Sequence, residues 1–352
     1  MEPEVEADIE SADPTALSQA PTALEVLRDR NVIALLSMLF CFSTAVFAQA
    51  TTIGWQVLHI SDREIDLGFV GLAEFLPAAL LVIVTGWVAD RYDRRLVTGI
   101  AITAELGVTA GLALYAASDP TAVGPIFVLA FAFGAARSFA APAERALKPL
   151  VVLPESLPRL VAMHSSVWQI SLVVGPVLAG LVISVSIAAA YLMSGVLLIA
   201  ALVLLCFVRY RVRPSPTHEA PTIHAALGGL RVIGRSPILL GAISLDLMAV
   251  LFGGAVALLP AIAQDQLHVG SAGFGLLRAA GGVGAGVVAL SLSVRPLRHR
   301  VGSRLFVAVG AFGVFTIVLG VTRQMWVAMV AVALLMAADM ISVFIRATLV
   351  PL

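Results

Sequence analysis

Six ionisable side chains, Glu74, Glu105, Arg137, Asp246, Arg278 and Asp339, stand inside long runs of apolar residues. Placing such a group deep in lipid costs about 2.5–3.5 kcal/mol, so groups of this kind do one of two things. They bind and release protons, or they pair with one another and fix how helices pack. Other chemistry is poorly represented. His59, His164, His218, His224, His268 and His299 are scattered without metal-ligand spacing, so no metal is expected. The run Gly281-Gly282-Val283-Gly284-Ala285-Gly286 follows no strand and reads as a smooth helix contact, not a phosphate cradle. Lys148 is the only lysine, so no P-loop is available to hold ATP. Neither enzyme chemistry nor a cofactor is expected.

The elements that carry these charges can be read from composition. Of 352 residues, 60% are apolar and only 12% charged, about half the charge of a water-soluble domain. Most of the exterior must therefore face lipid. Ten apolar segments are predicted at 31–58, 67–89, 96–117, 122–143, 160–184, 187–208, 238–262, 272–294, 304–322 and 325–347. Each is near the roughly 20 residues that span a bilayer core, and each must be helical, because lipid satisfies no open backbone. The fold class is thus an all-α polytopic membrane protein. With 22 basic against 22 acidic residues there is no field to attract nucleic acid. Cys41 and Cys206 lie in apolar runs and build no disulfide scaffold.

Basic residues set the orientation. With the N-terminus in the cytoplasm, Arg28, Arg30, Arg91, Arg94, Arg95, Arg145, Lys148, Arg159, Arg209, Arg211, Arg213, Arg231, Arg235, Arg295, Arg298, Arg300 and Arg304 all fall inside, against Arg63 and Arg323 outside. Residues 1–30 are an acidic, solvated tail rather than a signal peptide. A six-helix bundle at 31–208, a cytoplasmic connector at 209–237 and a second bundle at 238–352 complete the organisation. The halves echo each other: Gly68-Phe69 opens the second segment and Gly273-Phe274 the eighth, and both lead into arginine-rich turns. Such repeats mark transporters built around a midplane site. At about 1.5 Å per residue, Asp246, Asp339 and Arg137 lie roughly 12 Å from the inner surface and Glu105 slightly deeper. Glu74 and Arg278 lie in the outer third, at matching positions of the half-repeats. Asp246 and Arg278 are about 10 Å apart in depth, so Arg137 with Glu105 is the easier pair. Trp55, Trp87 and Trp326 are expected as interface anchors. Gln49, Gln56, Trp168, Gln169, Met248 and Phe252 either line a cavity or make helix contacts.

The turn after the second segment reads Gly86-Trp87-Val88-Ala89-Asp90-Arg91-Tyr92-Asp93-Arg94-Arg95. It matches the G-x-x-x-D-R-x-x-R-R signature, so the chain resembles the major facilitator superfamily of secondary transporters; the family often has glycine where Asp93 stands. Here Gly86 is expected to permit close helix approach, Asp90 to accept hydrogen bonds from a neighbouring helix start, and Arg94 and Arg95 to pair with acids or lipid phosphates. The resemblance implies that this turn, with Arg91, latches the inner face as two bundles rock. Pro142-Ala143-Glu144-Arg145-Ala146-Leu147, Gly175-Pro176-Val177-Leu178-Ala179-Gly180, Leu258-Leu259-Pro260, His268-Val269-Gly270 and Ile345-Arg346-Ala347-Thr348-Leu349-Val350 are similar to the enterobactin-exporter-like and macrolide-efflux-like branch. In that branch two further helices come after these, so the chain reads as a two-bundle fold of six helices plus an incomplete four, truncated after the tenth.

The resemblance extends to single residues. Gly175, Pro176 and Gly180 resemble the antiporter motif of exporters and form a bend and close-packing point. Arg137 resembles the buried arginine of exporters, with Ala140 and Ala141 replacing a glutamine and a glycine. The function this resemblance implies is export of a small amphiphilic molecule, of drug or siderophore type, by proton antiport across a bacterial plasma membrane, the chain acting as a monomer. At least one of Glu74, Glu105 and Asp246 would carry the proton as water access alternates; Asp339 would be structural, near Arg346. The alternatives are an uncoupled facilitator or importer, and a non-transporting membrane protein or inactive fragment.

Overall fold

A computed structural model describes residues 23–212, 244, 256–294 and 301–349. Asp246, Met248 and Phe252, with most of the expected seventh segment and of the 209–237 connector, lie outside the described residues. Nine helices among those described are long and apolar enough to cross a membrane, and no strand occurs among them. They are α1 (Arg30–Ser61), α2 (Glu64–Arg91), α3 (Arg94–Ala117), α4 (Gly124–Val151), α5 (Leu157–Ile183), α6 (Ile187–Phe207), α7 (Ser271–Val294), α8 (Val301–Val321) and α9 (Met325–Leu349). Alternate helix ends carry the arginines, which define a basic end and an opposite, far end.

Chain neighbours are mostly not packing neighbours in the first half. α2 packs on α4, α4 on α3, α3 on α6, α6 on α1 and α1 on α5; α5 then packs on α7 of the second half, α7 on α9 and α9 on α8. α1 is the hub, buried along one face from Val32 to Leu58. Apolar side chains do most of this, since Leu35, Met38, Leu39, Ile53, Ile102, Leu112, Phe133 and Leu198 are all fully enclosed. Buried polar groups on α1 pair across helices: Thr44 donates to Ser171 of α5 at 3.1 Å, Thr109 of α3 donates to Gln49, and Tyr191 of α6 donates to Gln56 at 2.7 Å. In lipid such bonds are worth about 0.6 kcal/mol each and fix rotation as much as stability. Gln49 and Gln56, either cavity or contact residues by sequence, are contacts.

Short polar side chains start the helices and knot the basic end. Asp29 caps α1 by accepting from the N–H of Asn31 at 3.0 Å and pairs with Arg211 at 2.8 Å. The Asn31 amide donates to the carbonyls of Val151 and Arg209 and accepts from the N–H of Arg209 at 2.7 Å. One side chain thereby joins the start of α1, the end of α4 and the stretch of chain leaving α6.

Candidate functional site

The halves meet at the far end, where α5 crosses α7. A Cβ on Gly180 would lie 2.5 Å from the Ser271 carbonyl oxygen and 2.9 Å from Gly275 Cα. One on Gly275 would lie 2.5 Å from the Pro176 oxygen. Backbones approach this closely only without side chains. Gly175 does the same against α1, 2.8 Å from Phe47 Cβ. Further along, Gln169 donates to the carbonyl of Gly282 at 2.9 Å, and Gly286 rests on the same glutamine. Within the glycine run, Gly282 and Gly286 meet α5, while Gly281 and Gly284 meet α9 at Met336 and Ala333. Trp55 stacks on Phe274 with centroids 5.6 Å apart, so it joins the halves instead of standing as an interface anchor; Trp326 is 78% exposed.

Toward the basic end no described residue of the second half is seen on the same face of α5. Residues 169, 172, 173, 176 and 180 touch α7, yet Val161 and Ser165, which continue that face, are exposed. Trp168 is half-exposed and stands edge-on to Phe47 at 5.0 Å. Among the described residues the halves are therefore joined at the far end and leave α5 uncovered toward the basic end.

Four of the ionisable residues predicted within the membrane gather between these ends, Glu105 buried and Glu74, Arg137 and Arg278 partly so. Glu74 of α2 lies within electrostatic range of both Arg137 of α4 and Arg278 of α7, and Arg137 also faces Glu105 of α3. Gly134 makes this possible, because a Cβ there would strike the backbone of Glu74, 2.9 Å from its Cα. Arg278 reaches across the junction and donates to the Ala50 carbonyl of α1 at 3.2 Å. Each arginine also lies over a phenyl ring of its own helix, Arg137 at 5.3 Å from Phe133 and Arg278 at 6.0 Å from Phe274. Glu105 is fully enclosed, and neither of its oxygens has a hydrogen-bond partner among the described residues. The easier pairing of Arg137 with Glu105 is thus an electrostatic contact without a hydrogen bond, and Arg137 is shared with Glu74. Depth along single helices had put Glu74 and Arg278 together in the outer third and Arg137 nearer the inner surface; it does not show that α4 packs on both α2 and α3, which brings Arg137 to both carboxylates. Asp339 lies half-buried on α9, and Asp246 lies outside the described residues.

At the basic end the Gly86–Arg95 turn differs from expectation in two ways. No atom lies within 4 Å of where a Gly86 Cβ would be, so among the described residues it admits no close helix approach. Asp90 is exposed and accepts no hydrogen bond among them. Asp93, the departure from the family pattern, does the capping: it accepts from the N–H of Leu96 at 2.8 Å and from the Tyr210 hydroxyl at 3.0 Å. Arg95 donates to the Cys206 carbonyl at 2.8 Å, and its own N–H donates to Tyr210. Arg91 lies 5.7 Å over Trp87, and Arg94 is half-buried at the first turn of α3. An aspartate directly before an apolar helix is a capping signal, and it was legible in the sequence.

A second polar group escaped the sequence reading. Glu144 and Lys148, one turn apart on α4, are 8% and 7% exposed. Lys148 Nζ lies 2.8 Å from Nδ1 of His164 on α5. The four-residue spacing of Glu144 and Lys148 was the available signal, hidden by their place at the end of an apolar run.

Comparison with known proteins fits this arrangement. Residues 19–348 match the family described as transmembrane secretion effectors, within the major facilitator superfamily. The chain belongs to that family. It is 26% identical over 166 residues to the staphyloferrin A transporter of Staphylococcus aureus (strain NCTC 8325 / PS 47), a stretch covering 47% of this chain and 42% of that protein. The chain thus matches less than half the length of that relative. Its fold is similar to a bacterial homologue of the human lysosomal transporter Spinster, inward-facing and unoccupied, with TM-score 0.67, 15% identity and coverage of 91% of this chain and 74% of the other. It is also similar to a bacterial homologue of the iron transporter ferroportin in its inward-facing state, with TM-score 0.63, 16% identity and coverage of 91% and 83%. These neighbours are transporters, not enzymes.

Proposed function

We propose that the chain is a secondary transporter that exports a small amphiphilic molecule, of drug or siderophore type, in exchange for protons. The observation that carries the reading is Glu105, a fully enclosed carboxylate without a hydrogen-bond partner among the described residues, beside the Arg137 that Glu74 and Arg278 adjoin. An ionised carboxylate held this way is uncompensated except by the arginine, and taking up a proton removes its charge. Because Arg278 belongs to the second half, the charge on Glu74 bears directly on how strongly the halves attract, and that on Glu105 bears on it through the Arg137 the two carboxylates share. That is the link antiport requires: proton occupancy biases a two-state element.

The positive-inside rule places the basic end in the cytoplasm. The far-end junction of α5 with α7 then closes the outer side, and the bare face at Val161 and Ser165 opens inward. Gly175, Pro176 and Gly180 act as the pivot in helix α5. Arg91, Arg94, Arg95 and Asp90, beside Gly86, meet the inner face as it closes. Asp246 and Asp339 remain candidates for further coupling or packing charges in the second half.

Efflux of ethidium, macrolides and siderophores from cells expressing the full reading frame tests the reading. Wild type should export at least one probe and lose that export when a protonophore collapses the gradient. Glu74→Gln and Glu105→Gln should remove the gradient-driven component, and Asp246→Asn would show whether the second half shares the task. Export that persists after collapse of the gradient defeats antiport; normal export by all three variants assigns these carboxylates to packing.

A further inference from the structure

A cavity of about 590 Å³ lies at the basic end, apart from the charge group that spans the two halves. Its wall comes from the short helix Ala23–Leu27, the start of α1, the link from α4 to α5 and the chain leaving α6. Val32 and Val152, both enclosed, give it an apolar floor. Arg28, Arg30 and Arg211 stand around that floor. The acids in the wall are Glu25 and Asp29. Both oxygens of Asp29 are already engaged, one by the N–H of Asn31 at 3.0 Å and the other by Arg211 at 2.8 Å. Arg28 and Arg30 are exposed and make no ion pair among the described residues. With Asp29 and Arg211 cancelling, two guanidinium groups are set against one carboxylate, and the cavity carries positive charge. α5 starts at the same wall without a side-chain cap, and Ser156, the residue before it, lines the cavity. An uncapped helix start adds N–H donors and partial positive charge.

We infer that this cavity is a binding site for a phosphate-bearing anion, either the headgroup of an anionic lipid or a soluble phosphate ester. Its volume falls within the range of small-ligand pockets. Arginine forks match phosphate oxygens two at a time, and the Ser156 hydroxyl with the start of α5 supplies further donors. A cationic ligand is disfavoured by the same two arginines. Arg30 opens α1 and Val152 ends α4, so the cavity lies where the helices leave the membrane, within reach of headgroups and of soluble esters alike. Occupancy has a structural consequence. Arg211 stands at the beginning of the stretch that joins the two halves, and it already reaches Asp29. A phosphate held by Arg28, Arg30 and Arg211 adds a second tie between the start of α1 and that stretch. The site is separate from Glu105 and depends neither on what the chain carries nor on proton coupling.

The test uses the full chain in detergent, with phosphatidylglycerol and glycerol 3-phosphate as separate probes and phosphatidylcholine as the neutral control. The quantity read is the amount of probe that half-maximally raises the unfolding temperature. Wild type should be protected by phosphatidylglycerol or by glycerol 3-phosphate and not by phosphatidylcholine; the probe that acts tells lipid from soluble ester. Arg28→Gln alone, in the turn before α1, should weaken the acting probe about fivefold, and Arg28→Gln with Arg30→Gln about thirtyfold. The single variant decides the matter if the pair fails to fold. Arg159→Gln, at the basic end but outside the cavity wall, should leave the affinity unchanged. Protection by neither probe overturns the site, and so does protection by phosphatidylcholine equal to that by phosphatidylglycerol. Unchanged affinity in Arg28→Gln overturns it as well. So does an equal loss in Arg159→Gln, which marks only the general positive field of the basic end.

Discussion

At the far end the two halves touch backbone to backbone, with Gly180 on Gly275 and Pro176. At the basic end elements of the first half are instead tied to one another by short polar caps, through Asn31, Asp29 and Asp93. The difference teaches where motion is permitted. The pivot proposed for α5 sits in close backbone contact between the halves, which the Gln169–Gly282 and Arg278–Ala50 hydrogen bonds also cross. Caps within a half keep that half rigid while its mouth opens, since the bonds they make do not cross the gap.

The largest expected effect comes from spoiling the pivot. Gly180→Val puts side-chain atoms into the Ser271 and Gly275 backbones and should cost about 3 kcal/mol, read as a lowered unfolding temperature in detergent. Ser165→Val, on the bare stretch of the same helix, should leave that temperature nearly unchanged; an equal loss would mean that the two ends do not differ. Next, in a background without Cys41 and Cys206, a cysteine replacing Ser165 should react with a polar maleimide about tenfold faster than one replacing the fully enclosed Ala179. Equal rates would close the opening.

Smaller effects probe the caps. Asp93→Ala removes the α3 cap and the Tyr210 bond and should cost about 1 kcal/mol without altering maleimide access at the far end. Burial pushes the Tyr210 phenol above its ordinary range; the Arg95 N–H opposes this, and Asp93 adds to the rise. A phenol raised on folding stabilises fully below about pH 10 and loses that contribution only as pH climbs through the raised value. Tyr210→Phe should therefore flatten the alkaline, not the acidic, limb of a stability profile. Smallest of all, Gln169→Ala gives up the bond to the Gly282 carbonyl, about 0.6 kcal/mol, and should loosen the junction without opening the far end.

The all-helical membrane class was legible because it rests on composition and on runs of apolar residues, properties each segment carries by itself. The Gly281–Gly286 run also announced a contact surface. Which helices it touches could not be read, because α5 and α9 are distant in sequence and only packing decides their sides. Likewise Glu74, Glu105, Arg137 and Arg278 stood out as costly charges, but depth along isolated helices could not reveal that α4 passes between α2 and α3 and lets Arg137 serve both carboxylates. Glu144 and Lys148 were missed for a related reason: at the end of an apolar run they look like ordinary basic-end residues until α5 covers them. Around Gly86 no described residue makes the close approach that the sequence motif implies.

The Asn31 amide carries a consequence for biogenesis. Its partners, Val151 and Arg209, are made long after α1 has left the ribosome, and α1 packs chiefly on α5 and α6 rather than on α2. The first helix to enter the bilayer can therefore begin docking only when the fifth is made, and completes it only after the sixth.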